Sequence, residues 1–183
     1  PCAFWPTTPS ILTSEVITLS NYHETLSSHD LFLELEAFSE GRSTHAWRCF
    51  GAHPAQAEDG TEGYLFRVWA PNAPKITLIG DFNGWDLDAT PMEKTEGGIW
   101  EVFVPGVKRY DAYQYAVHTG DGTYIGKADP YAFHAETRPN VSSKIYDLNT
   151  GYQWGDGDWM AYRAKHRPYT NPMNIYECHL GSW

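Results

Sequence analysis

The first 41 residues contain neither lysine nor arginine. Six carboxylates, Glu15, Glu24, Asp30, Glu34, Glu36 and Glu40, precede the first such cation, Arg42. This pattern excludes the basic n-region of a secretory signal and an Arg-rich transit peptide. No apolar run approaches the roughly 20 residues that a membrane-spanning helix needs. Cysteine is scarce: Cys2, Cys49 and Cys178 are odd in number, far apart and without a CxxC spacing. Neither a disulfide framework nor a zinc site is expected, and reduced thiols fit a cytoplasmic protein. No HExxH, phosphate-cradling glycine loop or Ser-His-Asp order occurs. Positive charge is short overall, with 13 Lys and Arg against 23 Asp and Glu for a net of −10. A nucleic-acid partner would need a basic patch, so none is expected.

Aromatic side chains are abundant. Eight Trp and twelve Tyr in 183 residues suit a ring-rich β core, and equally suit rings that stack on the C–H faces of sugars. The stretch 62–148 carries the strand signal. Phe66 and Val68 alternate with Leu65, Arg67 and Trp69, and Tyr113, Tyr115 and Val117 alternate with Ala112, Gln114 and Ala116. Turn residues punctuate these runs at Pro71-Asn72, Asn83-Gly84, Gly97-Gly98 and Gly120-Asp121-Gly122. Short strands with regular turns predict an immunoglobulin-like antiparallel β-sandwich.

Around that module the chain divides further. Residues 1–50 form an arm and a helix, 51–148 the sandwich, 149–172 a linker and 173–183 the start of something else. The arm has extended character near residues 15–19. A helix is predicted over 27–39, with Ser27 and Asp30 at its start, Leu31, Leu35 and Phe38 on one face, and Gly41 as its stop. In the linker, Asp158 is placed to cap a short helix over 159–163, and Pro168 and Pro172 then extend the chain. Residues 174–180, Asn-Ile-Tyr-Glu-Cys-His-Leu, read as a buried strand of the parallel-sheet kind. Such a strand cannot satisfy its backbone alone.

Four segments together resemble the glycogen (1,4-α-glucan) branching enzymes of the α-amylase superfamily. IYECHLGSW at 175–183 is similar to their first barrel strand. RVWAPNA at 67–73, GDFNGWD at 80–86 and DPYAF at 129–133 are similar to the carbohydrate-binding module before the barrel. The resemblance runs from about Phe50 to Trp183 and does not cover the arm. It implies a sandwich with an N-terminal helical extension, followed by a linker helix and the first strand of a truncated (β/α)8 barrel. The implied parent enzyme moves an α-1,4-linked oligosaccharide to a 6-hydroxyl, making an α-1,6 branch, with no organic cofactor. The implied partners are α-1,4-glucan (glycogen, amylose or maltooligosaccharide) and the missing catalytic barrel. A stand-alone glucan-binding or scaffolding module without catalysis is the alternative. The orphan strand at 174–183 argues against it.

The loop at 80–86 is the candidate binding element. Gly and Asn turn the chain tightly and present the Trp85 ring beside Asp81, Asn83 and Asp86, which suits a pyranose face flanked by hydroxyls. The resemblance adds two positions, Gln114 where related modules have Lys and Tyr124 where they have Trp. Trp100 sits mid-strand and is expected in the core. Asp81, Asn83, Asp86 and Asp88 lack EF-hand spacing, with Met92 where the closing Glu would stand, so no metal is expected. No catalytic residue is expected either, because the two carboxyl groups of a retaining glycosidase mechanism lie on later barrel strands in that family. Glu177 and His179 are read as strand-supporting residues.

Overall fold

The computed structural model describes residues 22–24, 26–148, 152–166, 169 and 172–182. They divide into two compact units at Leu148 and Asn149. The expected extended stretch at 15–19, together with Cys2, Arg167 and Pro168, lies outside the described residues.

Among the described residues of the first unit there are ten strands: β1 (Tyr22–Glu24), β2 (Gly51–Ala57), β3 (Glu62–Trp69), β4 (Ile76–Gly80), β5 (Glu93–Lys94), β6 (Ile99–Pro105), β7 (Ala112–His118), β8 (Tyr124–Lys127), β9 (His134–Ala135) and β10 (Ser143–Lys144). They form two antiparallel sheets, ordered β1-β2-β3-β6-β5 and β4-β7-β10-β9, with β8 also on β7. The alternation read from the sequence sets the facing. Phe66, Val68 and Trp100 of the first sheet meet Leu78, Tyr113 and Tyr115 of the second in one core. Trp100 is buried there as expected, its Nε1 donating to the Ala70 carbonyl at 3.0 Å. The strands expected from the alternation at 65–69 and 112–117 both form, as β3 and β7. Sequence reading missed β2, because Gly51, Pro54 and three alanines dilute its β signal. Among the described residues β1 pairs with residues 55–57 and not with Pro54, so no described neighbour on that side needs its missing N–H.

Helix α1 (Ser28–Ser39) forms where its pattern places it. The Ser27 side chain accepts from the Asp30 N–H at 3.1 Å, satisfying one orphan donor of the first turn. At the other end Gly41 takes φ +69°, which lets Arg42 N donate to Ala37 O (2.8 Å) and Gly41 N to Phe38 O (3.0 Å), a Schellman closure. The apolar face lies on the outer side of the first sheet. Leu31 and Leu35 are buried with Cys49, Phe50 and Ile99, and Phe38 packs edge-on against Trp69. The same outer face holds Arg67, buried, its Nε 2.9 Å from Glu101 Oε2 on the neighbouring strand.

The second unit contains α2 (Gly157–Lys165). Asp156 occupies the N-cap position without a side-chain bond, two residues before the expected cap Asp158, which lies in the first turn instead. Arg163 and Lys165 sit in the last turn, where they complement the helix dipole. The strand expected over 174–180 does not form in this unit. Residues 172–179 are irregular and exposed, and Leu180–Ser182 make one 3-10 turn. The physical reason is that a parallel-type strand exists only through its neighbours, and the described residues of this unit supply none. Glu177 and His179 are correspondingly exposed. Among the described residues no helix is long and apolar enough to cross a membrane.

Leu35→Ala removes the buried centre of the α1 interface. It is expected to cost about 2–5 kcal/mol in urea unfolding, whereas exposed Leu33→Ala on the same helix should cost well under half as much. Equal losses would show that α1 is not seated on the sheet.

Candidate functional site

The loop after β4 is a tightly wired structure. Gly80 must lack a side chain, because a Cβ there would strike the Ala112 carbonyl and the Phe82 ring. Phe82 turns inward to pack near Phe66. Residues 81–83 make a single 3-10 turn, Gly84 follows at φ +64°, and Trp85 itself has φ +63°. That left-handed conformation is strained for an aromatic residue, typically by about 1–3 kcal/mol, and persists only where surroundings impose it.

Asn83 is what imposes it. Its Oδ1 accepts from Gly80 N (3.0 Å) and Trp85 N (3.2 Å), while its Nδ2 donates to Leu78 O and Thr90 Oγ1, both at 2.9 Å. Asp81 is similarly engaged. Its Oδ1 accepts from Trp85 Nε1 at 3.0 Å, and its Oδ2 accepts from Ala112 N at 2.8 Å, tying the loop to the start of β7. Asp86 is exposed, and its Oδ1 accepts from Asp88 N at 2.9 Å. The polar groups expected beside the ring are thus largely occupied in shaping the loop. The ring is held in a fixed pose, 38% exposed.

Gln114 and Tyr124 lie on one surface, the outer face of the second sheet. Tyr113 and Tyr115 point into the core, so Gln114 points away from it. Its Nε2 donates to Ser142 Oγ at 3.1 Å, and its side chain lies against Gly126, which has no Cβ to obstruct it. Tyr124 is cross-strand partner to His118 and is 46% exposed. Trp85 belongs to the Ala112 end of β7 and Tyr124 to the His118 end. These ends are about 20 Å apart at 3.3–3.4 Å per residue. Sequence reading did not find His118, whose Nε2 lies 2.9 Å from the hydroxyl of buried Thr77 and whose ring neighbours that of Tyr124. The contact joins residues 41 positions apart, and no local pattern announces it.

Nor did sequence reading find the buried polar centre of the module, although DPYAF contains it. Asp129 Oδ2 accepts from Tyr113 Oη (2.6 Å) and Tyr115 Oη (3.2 Å), and Oδ1 accepts from Tyr131 N (2.8 Å). Burial raises the Asp129 pKa above the ordinary aspartate value, partly offset by the hydrogen bonds from Tyr113, Tyr131 and Tyr115. Burial and the adjacent carboxylate push both tyrosine hydroxyls far upward, so they remain donors. Among the described residues no group of three or more His, Cys, Asp or Glu is placed to hold a metal ion.

Residues 49–132 match the family described as carbohydrate-binding module 48 (isoamylase N-terminal domain). Beyond that span the chain is similar to 1,4-alpha-glucan branching enzymes. It is 47% identical over 161 residues to the enzyme of Nitratidesulfovibrio vulgaris, covering 85% of this chain and 25% of that protein. It is 45% identical over 166 residues to the enzyme of Francisella tularensis, covering 89% of this chain and 25% of that one. The similarity extends over most of this chain, which spans about a quarter of the length of these relatives. A solved pullulanase from Bacillus acidopullulyticus is similar at 26% identity and a TM-score of 0.44, over 61% of this chain and 13% of that one.

The Asp129 centre makes stability depend on pH with a definite sign. A carboxyl whose folded pKa is raised binds its proton more tightly in the folded state. Its contribution therefore favours folding at low pH and is lost as pH rises from the ordinary aspartate pKa through the raised folded value. The stability advantage of the native protein over Asp129→Asn, measured by urea unfolding from pH 3.5 upward, should shrink with rising pH. A gap that widens would contradict the assignment.

Proposed function

We propose that this chain is the amino-terminal portion of a cytoplasmic 1,4-α-glucan (glycogen) branching enzyme. Its sandwich holds α-1,4-glucan (glycogen, amylose or maltooligosaccharide) and positions a catalytic barrel that lies outside these residues. The reaction of the parent enzyme transfers an α-1,4-linked oligosaccharide to a 6-hydroxyl, and its two catalytic carboxyl groups belong to that barrel. The observation that carries the binding reading is Trp85. A half-exposed indole is fixed in a strained backbone pose by four hydrogen bonds of Asn83 and one of Asp81. A pre-organised flat apolar surface suits the C–H face of a glucose ring, since little side-chain freedom remains to be lost on binding. Exposed Asp86 offers a further carboxylate to a sugar hydroxyl. Gln114 and Tyr124 extend the surface along β7.

The domain organisation follows the same reading. Residues 1–50 are the arm and helix, 51–148 the binding module, 149–172 the link and 173–183 the opening of the barrel. Trp154, Ile175, Tyr176 and Leu180 expose large apolar side chains, as expected of residues that a further domain would cover.

Trp85→Ala should weaken binding of maltoheptaose about tenfold, equivalent to 1.4 kcal/mol, by isothermal calorimetry, with little change in melting temperature. Unchanged affinity would remove Trp85 from the site. The 183-residue chain incubated with amylose should form no α-1,6 linkages, and branched product would refute the placement of catalysis elsewhere.

A further inference from the structure

The outer face of the second sheet continues beyond Gln114, past the start of β7, onto a cluster that the binding surface above does not include. Lys144 of β10 is cross-strand partner to Ala112, and His134 of β9 is partner to Lys144. Side chains directly opposite one another share a face, so both lie on the same outer face as Gln114. Ile145 is buried in the core, which turns Tyr146 outward again. Tyr110 joins them from the turn before β7. The His134 and Tyr146 rings stack with centroids 5.6 Å apart, and Tyr110 meets both rings, at 5.4 and 5.9 Å. The Arg109 guanidinium lies 5.0 Å from the Tyr110 centroid and 4.4 Å from that of Tyr146.

Tyr110 is the second non-glycine residue among those described with positive φ, at +74°, and the first is Trp85. Both are aromatic, and both lie at the Ala112 end of β7. Tyr110 N donates to Ile145 O at 2.8 Å, which anchors the turn to β10. A tyrosine at positive φ is strained, and glycine would suit the backbone better. The side chain is nevertheless 48% exposed, so burial of its ring does not account for its place.

We propose that Tyr110, Arg109, Tyr146 and His134 form a second aromatic subsite for the same linear α-glucan, adjoining the Trp85 and Gln114 surface. This rests on the glucan-binding reading above and adds that the module holds extended chains rather than short oligosaccharides. Tyr110 offers an apolar ring to a sugar face. Arg109, oriented by two rings, offers planar donors to hydroxyls. A chain lying on this face engages Trp85 and Tyr110 together, whereas a short oligosaccharide engages one of them.

The test compares maltotriose with a linear amylose fraction of about twenty glucose units, using the 183-residue protein, calorimetry and four forms: native, Trp85→Ala, Tyr110→Gly and His134→Ala. Tyr110→Gly suits the positive φ and should keep or raise the melting temperature, so lost binding cannot be ascribed to misfolding. Tyr110→Gly and His134→Ala should each weaken the long chain about two- to tenfold and leave maltotriose unchanged. Trp85→Ala should weaken both ligands. Long-chain affinity unaltered in both Tyr110→Gly and His134→Ala overturns the subsite while leaving the Trp85 reading intact. Equal loss for both ligands in Tyr110→Gly also overturns it, by making Tyr110 part of the first site. No binding of either ligand to the native protein overturns both readings.

Discussion

The carboxylate of Asp129 is the point on which the sandwich closes. Two tyrosines of β7 reach into the core and donate to one of its oxygens, and Tyr115 also donates to the Arg67 carbonyl of the opposite sheet at 3.4 Å. The other oxygen accepts from Tyr131 N, and the Tyr131 ring stacks on Phe50 at 5.4 Å. Phe50 belongs to the cluster that seats α1. One buried group thereby ties the core between the sheets to the core beneath the helix. A buried carboxylate is tolerable only when its lone pairs are met, and here phenolic hydroxyls that cannot ionise near neutrality meet them.

Strand β7 is consequently the spine of the molecule. Its inward side chains make the core and reach Asp129. Its outward side chains include Gln114 and His118. Its first residue receives the Asp81 carboxylate from the Trp85 loop. The strand is thus held from its inner face by the core and the Asp129 hydrogen bonds. Strain at Trp85 and Tyr110 is borne by hydrogen bonds to neighbouring elements, which is the arrangement expected where side chains are held for recognition.

The N-terminal helix has a different part. It packs on the outer face of the first sheet through Phe50, Ile99 and Trp69, the face that also carries the Arg67–Glu101 pair. An unpaired buried charge would cost several kcal/mol, so pairing in register is the condition for covering that face at all.

Much of this was legible in the residues. The period-two alternation over β3 and β7 sorted their side chains into two sets, because strand geometry offers only two faces. Ser27, Asp30 and Gly41 marked α1 within one residue, because capping chemistry is local. The loop of Trp85 was found from its glycines and its ring. The roles of Asp81 and Asn83 were not, because their partners, Ala112, Leu78 and Thr90, are supplied by other parts of the fold. The Asp129 centre, the His118–Thr77 contact and the Tyr110 cluster also join residues distant in sequence, so no spacing rule reaches them. The strand expected at 174–180 shows the converse. Its composition is that of a buried strand, yet pairing is a property of two segments, and the described residues around it hold no second one. Local chemistry and periodicity, carried by the chain itself, determined the elements and their faces. Which polar groups would be consumed in building the site, and which rings would be left to bind, depended on contacts that exist only once the sheets have closed.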